Sequence, residues 1–486
     1  MAKSIKRNYF YNTVYSILTV ITPLITAPYT SRVLEADGIG AMSFALSIVT
    51  YFTLFGSLGT WSYGSREIAY VRDDLEKRSI VFWEVVLFRV ISTFIVLAVY
   101  LAAVYFYAKS YRILFFIFAL NILTIACDVT WFFFGLEEFG KIVFRNIIIR
   151  IIDIAFVFAF IKSKSDLPLH AFGSVFFNVA GTVVMWKYLP AYIKKPDFKS
   201  LHPFRNLKTI FSLFIPGLAV QVYTVLDKTM IGIFTEGTFE NGYYEQVLKI
   251  SKIVLALVTS LAGVMVPRIG YLFAKGDREQ VSFLMYRSYK FVLCVSVALC
   301  FGLVGISDNF VPWFFGPGYE KVAGLLKVSS FLIVAIGLNN ATGIQYFIPT
   351  KRQNLFTYSV VIGAAANFTM NIILIRMYQS YGAIIASVAA ETLIAAVEFY
   401  FVRKEISTGR VILSGTNYYI AGGVMLAVLF FMGSRLTPSP VHTFMMIFTG
   451  AAVYVSLLFI LRDKFFLEYS AKPLEFLKRK FAKRKG

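Results

Sequence analysis

With 486 residues, 58% hydrophobic and only 15% charged, and a mean hydropathy of +0.69, the chain lies outside the range of an ordinary globular domain. A formal net charge of +21 on a soluble protein would point to nucleic acid. Here the basic residues sit between apolar stretches, which excludes that partner and points to anionic lipid instead.

About fourteen apolar stretches of roughly twenty residues run from Tyr9 to Leu461. Each can cross a bilayer core of ~30 Å once as a helix rising ~1.5 Å per residue. The first six are predicted near 10–30, 39–60, 82–107, 112–134, 142–161 and 168–189. The first follows Lys3, Lys6 and Arg7 but reaches about Tyr29 without a small-residue cleavage pattern, so it reads as a retained helix and not a signal peptide. A polar, basic segment with Lys194, Lys195, Pro196, Asp197 and Arg205 follows and reads as a linker. Further spans are predicted near 209–234, 246–266, 288–306, 323–348, 355–375 and 381–402, then near 415–434 and 441–461. The expected organisation is an all-α integral membrane protein. It has an N-terminal six-helix bundle (1–193), a cytoplasmic linker (194–208), a C-terminal six-helix bundle (209–405), two additional transmembrane helices (406–462) and a basic cytoplasmic tail (463–486). With the N-terminus in the cytoplasm, most of the 48 Lys and Arg fall in inward connections and at the two ends, including Lys478 to Lys485. That bias places both termini of this multi-pass protein in the cytoplasm.

The two halves are weakly alike. Thr22-Pro23 with Pro28, then Ser31-Arg32-Val33-Leu34, then Arg66-Glu67-Ile68-Ala69 in the first correspond to Pro216-Gly217, Asp227-Lys228-Thr229-Met230 and Pro267-Arg268-Ile269-Gly270 in the second, and Trp131 to Gly135 corresponds to Tyr346 to Thr350. Both halves start on the same side, a parallel repeat that suits alternating access between two bundles. Pro23, Pro28 and Pro216 each remove a backbone hydrogen bond and favour a bend, although prolines are also simply common in membrane helices.

A charge at the bilayer centre costs ~2.5–3.5 kcal/mol on insertion scales, so each one asks for a reason. Lys249 and Lys252, three apart, share a helix face. Either they hold a phosphate-bearing substrate in a hydrated cavity, or they snorkel to the interface while Glu245 pairs with Lys249. Arg32 closes the first span, and Arg89 lies within the third, with Glu84 or a neighbouring helix as its alternative partner. Both offer the planar fork that suits phosphate. Asp227 and Lys228 are adjacent, so they diverge by ~100° on a helix. Lys228 toward substrate with Asp227 toward a coupling cation is one arrangement, and an interhelical salt bridge is the other. Arg150 and Asp153 have the spacing of a local ion pair, and Glu391 and Glu398 share a face seven residues apart. Asp227, Asp128 and Glu391 are the candidates for carrying a coupling ion, H+ or Na+.

No chemistry of another kind stands out. His170, His202 and His442 are scattered, Cys127, Cys294 and Cys300 lie in apolar runs, and no Gly-rich phosphate loop ends in Lys-Ser/Thr. No metal, no cofactor and no enzyme activity are expected.

The run Pro28-Tyr29-Thr30-Ser31-Arg32-Val33-Leu34 with Gly38-Ile39-Gly40 resembles the first-helix exit of bacterial polysaccharide repeat-unit flippases, as do Gly64 to Ala69 and Trp131 to Gly135 with Glu137. Asp227 to Gly232, Tyr243-Tyr244-Glu245, Pro267-Arg268 and Asn367 with Asn371 are similar to its second-half patterns. Phe134 departs from the Gln often found there. The resemblance, over about residues 5–460, implies the multidrug/oligosaccharidyl-lipid/polysaccharide flippase superfamily, a V-shaped pair of six-helix bundles and a bacterial cell membrane. It also implies a substrate of oligosaccharide on undecaprenyl pyrophosphate, and it singles out Arg32. The expected function is a secondary flippase turning that lipid-linked oligosaccharide from the inner to the outer leaflet. Arg32, Lys228, Lys249, Lys252 and Arg89 would bind the substrate, bilayer lipids would surround it, and a polysaccharide polymerase is a candidate partner. The alternatives are a multidrug cation extruder of the same superfamily and a membrane-embedded polymerase or glycosyltransferase. The former would want a cleft lined by carboxylates, whereas the outer ends of spans 1, 7 and 8 offer cations; the latter would show a sizeable outer loop or an acidic catalytic cluster, and the sequence has neither.

Overall fold

The structure, a computed structural model, describes residues 5–108, 110–195 and 197–470; the tail lysines Lys478 to Lys485 lie outside this set. Among the described residues there is no strand. A bilayer offers no water to backbone N–H and C=O groups, and helices satisfy them internally. Eleven segments among the described residues are long and apolar enough to cross a membrane, against the roughly fourteen spans expected. Two expected spans are joined in the single segment Ile21–Tyr70. Two further expected spans are not among the eleven: the helix Phe139–Phe160, where Arg145, Arg150 and Asp153 occur in any 18-residue stretch, and the helix Leu207–Phe234. The chain divides into two compact units, Met1–Glu245 and Gln246–Gly486.

In the first unit, α1 (Ile5–Ser57) is broken at Glu35, whose φ of 57° and ψ of 174° are not helical. The break separates two arms, and it falls beyond both Pro23 and Pro28, which lie inside the first arm. Then come α2 (Thr60–Tyr70), α3 (Leu75–Tyr107), α4 (Arg112–Cys127), α5 (Thr130–Gly135), α6 (Phe139–Phe160), α7 (Leu167–Met185) and α8 (Leu207–Phe234). Asp74 starts α3 by accepting from the Glu76 and Lys77 amides, both at 3.0 Å. α1 packs on α3, α4, α6 and α8. An aromatic core of Phe82, Trp131, Phe132 and Phe133, all fully buried, ties α3 to α5. Gly64 lets α2 approach it, since a Cβ there would lie 2.5 Å from the Trp131 ring.

The basic stretch before α8 is docked on α3. Lys194 N donates to Ser79 Oγ (2.9 Å), Trp83 Nε1 to the Lys194 carbonyl (3.1 Å), and Arg205 reaches the buried Glu84 at 3.1 Å.

α9 (Phe239–Thr259) starts in the first unit and continues in the second. The second unit adds α10 (Ala262–Ala274), α11 (Arg278–Phe315), α12 (Glu320–Ser329), α13 (Phe331–Asn339), a π-helical stretch (Asn340–Phe347), α14 (Gln353–Tyr378), α15 (Ser380–Val402), α16 (Thr408–Leu413), α17 (Thr416–Gly433) and α18 (Pro440–Ile460). α14 pairs with α15, while α11 runs along α12, α13, α17 and α18. The segments compared between the two halves each pack within their own unit. α5 packs on α2 in the first, and the π-helical stretch packs on α10 in the second.

Candidate functional site

In the first unit, intramembrane charges gather where α1, α8 and the start of α9 meet. The turn between α8 and α9 is short, so Asn241, Tyr244 and Glu245 fold back along Asp227, Lys228 and Thr229. Lys228 Nζ lies 2.5 Å from Glu245 Oε2, and both side chains are mostly buried. Ser43 Oγ on the second arm of α1 donates to the same carboxylate oxygen at 2.8 Å. Asp227 is 7% exposed and accepts from Tyr244 Oη at 2.5 Å. Thr229 Oγ1 lies 3.0 Å from Ser47 Oγ and 3.2 Å from Tyr51 Oη. The adjacent Asp227 and Lys228 thus face separate partners, as their divergence on a helix requires. Lys228 makes an interhelical salt bridge, one of the two arrangements the sequence allows.

The approach is close because the chain supplies glycines. A Cβ on Gly40 would lie 1.7 Å from the Thr238 carbonyl oxygen, and one on Gly242 would lie 1.9 Å from that of Ala36. Small residues let membrane helices meet backbone to backbone. Just beside them, Thr238 Oγ1 donates to Asp37, Tyr111 Oη donates to Asp37 Oδ1 (2.9 Å), and Lys164 pairs with Glu35 at 2.8 Å.

Arg89 and Asp128 are brought together elsewhere in the unit. Arg89, 3% exposed, donates from Nε to the Ile125 carbonyl (2.8 Å) and from Nη1 to Thr60 Oγ1 (3.0 Å), with Nη2 3.4 Å from Asp128 Oδ2. Ile125 is in the last turn of α4, where carbonyls lack helical partners. Asp128 Oδ1 in turn accepts from Thr130 N (2.9 Å) and Oγ1 (2.6 Å) at the start of α5. Arg89 therefore holds the α4–α5 break, and Glu84, its other partner suggested by sequence, is taken by Arg205. Arg150 and Asp153 form the local pair expected, at 3.9 Å.

Arg32 is exposed on the first arm of α1, and its Nη1 donates to the Pro28 carbonyl at 2.7 Å. Lys249 is half-buried and Lys252 exposed, on the part of α9 that belongs to the second unit. Phe134, at the position where Gln is frequent, packs its ring tilted against Trp61 and edge-on to Phe139.

The second unit holds a polar seam that sequence reasoning only touched at Glu391 and Glu398. Asn339 Nδ2 donates to Glu391 Oε2 at 2.6 Å, Gln345 Nε2 to Asn340 Oδ1 at 3.0 Å, and Ser288 Oγ to Gln345 Oε1 at 2.6 Å. Tyr289 Oη and Thr342 Oγ1 share a hydrogen bond of 2.8 Å. Glu398 is fully buried; one oxygen accepts from Ser359 Oγ (3.1 Å) and the other has no hydrogen-bond partner. A Cβ on Gly343 would lie 2.8 Å from that carboxylate, so the π-helical backbone comes right up to it. π-turns are often found at functional sites. The signal in the sequence was Asn339, Asn340, Thr342 and Gln345 inside an otherwise apolar span. Beyond the end of the seam, Glu405 bonds Tyr346 Oη and lies 2.6 Å from Arg352 Nη1. Burial pushes its carboxyl up, but the Tyr346 and Arg352 contacts outweigh burial and hold it below the usual carboxylate range.

Chemically, these clusters are ion pairs and hydrogen-bonded carboxylates, most of their members buried between helices. No group of three or more His, Cys, Asp or Glu that could hold a metal occurs among the described residues.

Comparison with known proteins agrees with this architecture. An Escherichia coli (strain K12) protein named for O-antigen transport is 23% identical over 406 residues, covering 82% of this chain and 97% of its own length. The lipid II flippase MurJ in an inward closed conformation superposes with a TM-score of 0.70 at 16% identity, covering 94% of this chain and 99% of the other. A multidrug resistance MATE family transporter in an inward-facing conformation gives 0.62 at 13% identity, over 81% and 94% of the two chains. Residues 5–273 match the family described as polysaccharide biosynthesis protein. The chain is therefore a multi-pass membrane protein with the fold of the multidrug/oligosaccharidyl-lipid/polysaccharide flippase superfamily, and it belongs to the polysaccharide biosynthesis protein family.

Proposed function

We propose that this protein is a flippase for cell-surface polysaccharide assembly, turning oligosaccharide repeat units linked to undecaprenyl pyrophosphate from the inner to the outer leaflet of a bacterial cell membrane. The observation that carries the reading is the Lys228–Glu245 pair, tethered to α1 through Ser43. A charge pair at membrane depth joining three helices is stable only while they stay together. An incoming pyrophosphate can compete with Glu245 for Lys228, and parting α1 from α8 and α9 then accompanies alternating access. Arg32, Lys249 and Lys252 attract the same anionic head, while Arg89 acts by positioning α4 and α5. A cation, H+ or Na+, resets the cycle through Asp227, Asp128 or Glu391, of which Asp227 stands beside the pair. The family match and the name of the Escherichia coli relative support a glycan cargo.

The test is transbilayer movement of a labelled undecaprenyl-pyrophosphate oligosaccharide in proteoliposomes, with and without a proton or sodium gradient. Gradient-driven movement that is lost in Lys249→Ala/Lys252→Ala and in Arg32→Ala, with protein still in the membrane, is the expected outcome. Efflux of an organic cation with no glycan movement would assign the fold to drug extrusion and overturn the reading.

A further inference from the structure

The second unit contains a cavity of about 460 Å³ that the substrate reading does not use. Four cations line it: Arg287 and Lys290 from α11, Arg410 from α16, and Lys464 from the helical residues 464–470. Two carboxylates, Glu279 and Glu468, also line it, so the four cations exceed the acids. Arg287 is matched by Glu468 at 2.7 Å. Lys290, Arg410 and Lys464 form no ion pair among the described residues, and the Arg410 guanidinium lies 4.6 Å from the centre of the Tyr286 ring. Like charges around one cavity repel unless water or an anion lies between them.

The walls come from separate segments, each held in place. Asp463 is 7% exposed and accepts from Phe466 N (2.9 Å), Tyr418 Oη (3.2 Å) and Asn417 Nδ2 (3.1 Å), which fixes the last helical residues to the start of α17. Ser407 N donates to Tyr286 Oη at 2.9 Å and brings α16 to α11. The cavity also stands where membrane helices end: α11 starts at Arg278, α17 at Thr416, and α18 stops at Ile460. Phe283 in its lining and Leu413, the chain neighbour of the lining Ser414, are exposed apolar side chains, half or more accessible, as is Ile460 at the end of α18, four positions before Lys464. Cations at the level of the interface, ringed by exposed apolar surface, fit a molecule with a phosphate at one end and acyl chains at the other. The guanidinium fork and the two ammonium groups suit phosphate oxygens.

We propose that this cavity binds the headgroup of an anionic phospholipid, its phosphodiester held by Lys290, Arg410 and Lys464 and its acyl chains lying over Leu413 and Ile460. The charge bias of the sequence places this end at the cytoplasmic leaflet.

The test is native mass spectrometry of the full chain released from nanodiscs of mixed phosphatidylcholine and phosphatidylglycerol. One phosphatidylglycerol should stay bound in preference to phosphatidylcholine. In Lys290→Gln/Arg410→Gln its affinity should fall about 30-fold, which is about 2 kcal/mol at ~1.4 kcal/mol per tenfold. This variant leaves the Arg287–Glu468 pair in place, and Lys464→Gln at an exposed position serves as the second, gentler variant. Equal retention by the wild type and both variants would overturn the proposal. Displacement of the lipid by inorganic phosphate would also overturn it, by assigning the cavity to a free phosphate compound. Neither readout depends on transport.

Discussion

Lys228 and Glu245 lie 2.5 Å apart although they are seventeen positions apart in the chain, with the α8–α9 turn between them. Ser43 of α1 shares the Glu245 oxygen that meets the ammonium. Removing one member of a buried pair leaves an uncompensated charge, at about 3–5 kcal/mol. Glu245→Gln should therefore lower thermal stability markedly, with the lower end of that range expected because both side chains keep some exposure. Lys228→Met/Glu245→Gln should recover most of the loss, while glycan movement stays abolished. A double-mutant cycle on melting temperature measures the coupling; additive single effects would show that the pair is not energetically joined.

Gly40 and Gly242 give the second prediction. A methyl group at either position would run into a backbone carbonyl, which cannot move aside as a side chain can. Overpacking of this kind costs typically about 1–3 kcal/mol. Gly40→Ala and Gly242→Ala should each part α1 from the start of α9 and weaken the neighbouring Thr238–Asp37 contact. A thiol-reactive probe at Thr238→Cys should then label faster in the Gly40→Ala background than in the parent. Unchanged labelling and unchanged stability would mean that the helices can accommodate the methyl.

The membrane class, the helical architecture and the Arg150–Asp153 pair were legible in the sequence because they depend on composition and local spacing. The position of the break in α1 was not. Pro23 and Pro28 drew attention, yet the non-helical residue is Glu35, which carries no glycine or proline signal and is held from outside by Lys164. Partner choice was equally hidden, since Arg89 meets an aspartate 39 positions away and Glu84 meets an arginine 121 positions away. Such pairings are decided by which helices pack together. The polar seam of the second unit was visible only as isolated amides, because its members come from α11, α13, the π-helical stretch, α14 and α15.

Arg89 provides a test of positioning against direct binding. Its three contacts use the whole guanidinium fork, so Arg89→Lys keeps the charge but cannot reach the Ile125 carbonyl, Thr60 and Asp128 together. A positioning role predicts that Arg89→Lys lowers melting temperature and the amount of folded protein. The transport that remains should show an unchanged apparent affinity for the glycan lipid. A variant with wild-type stability and weakened substrate affinity would instead make Arg89 a ligand.

Glu405 sets a pH dependence outside the membrane spans. Burial raises its pKa, but the hydrogen bonds from Tyr346 and Arg352 bring the folded-state value below the ordinary 4.5. A carboxylate depressed on folding contributes stability that is fully present above its unfolded pKa and is lost as pH falls through the folded one. The contribution should therefore be intact at pH 7 and begin to disappear only below about 4.5. Glu405→Gln should melt lower than the wild type at pH 7, because Arg352 loses its charged partner. As the solution is acidified below that value, the gap between the two should narrow, since the wild-type carboxyl is then neutral as well. Melting curves of both proteins in detergent across that interval measure it. A gap that stays constant with pH would show that Glu405 acts through packing against Tyr346 and not through its charge.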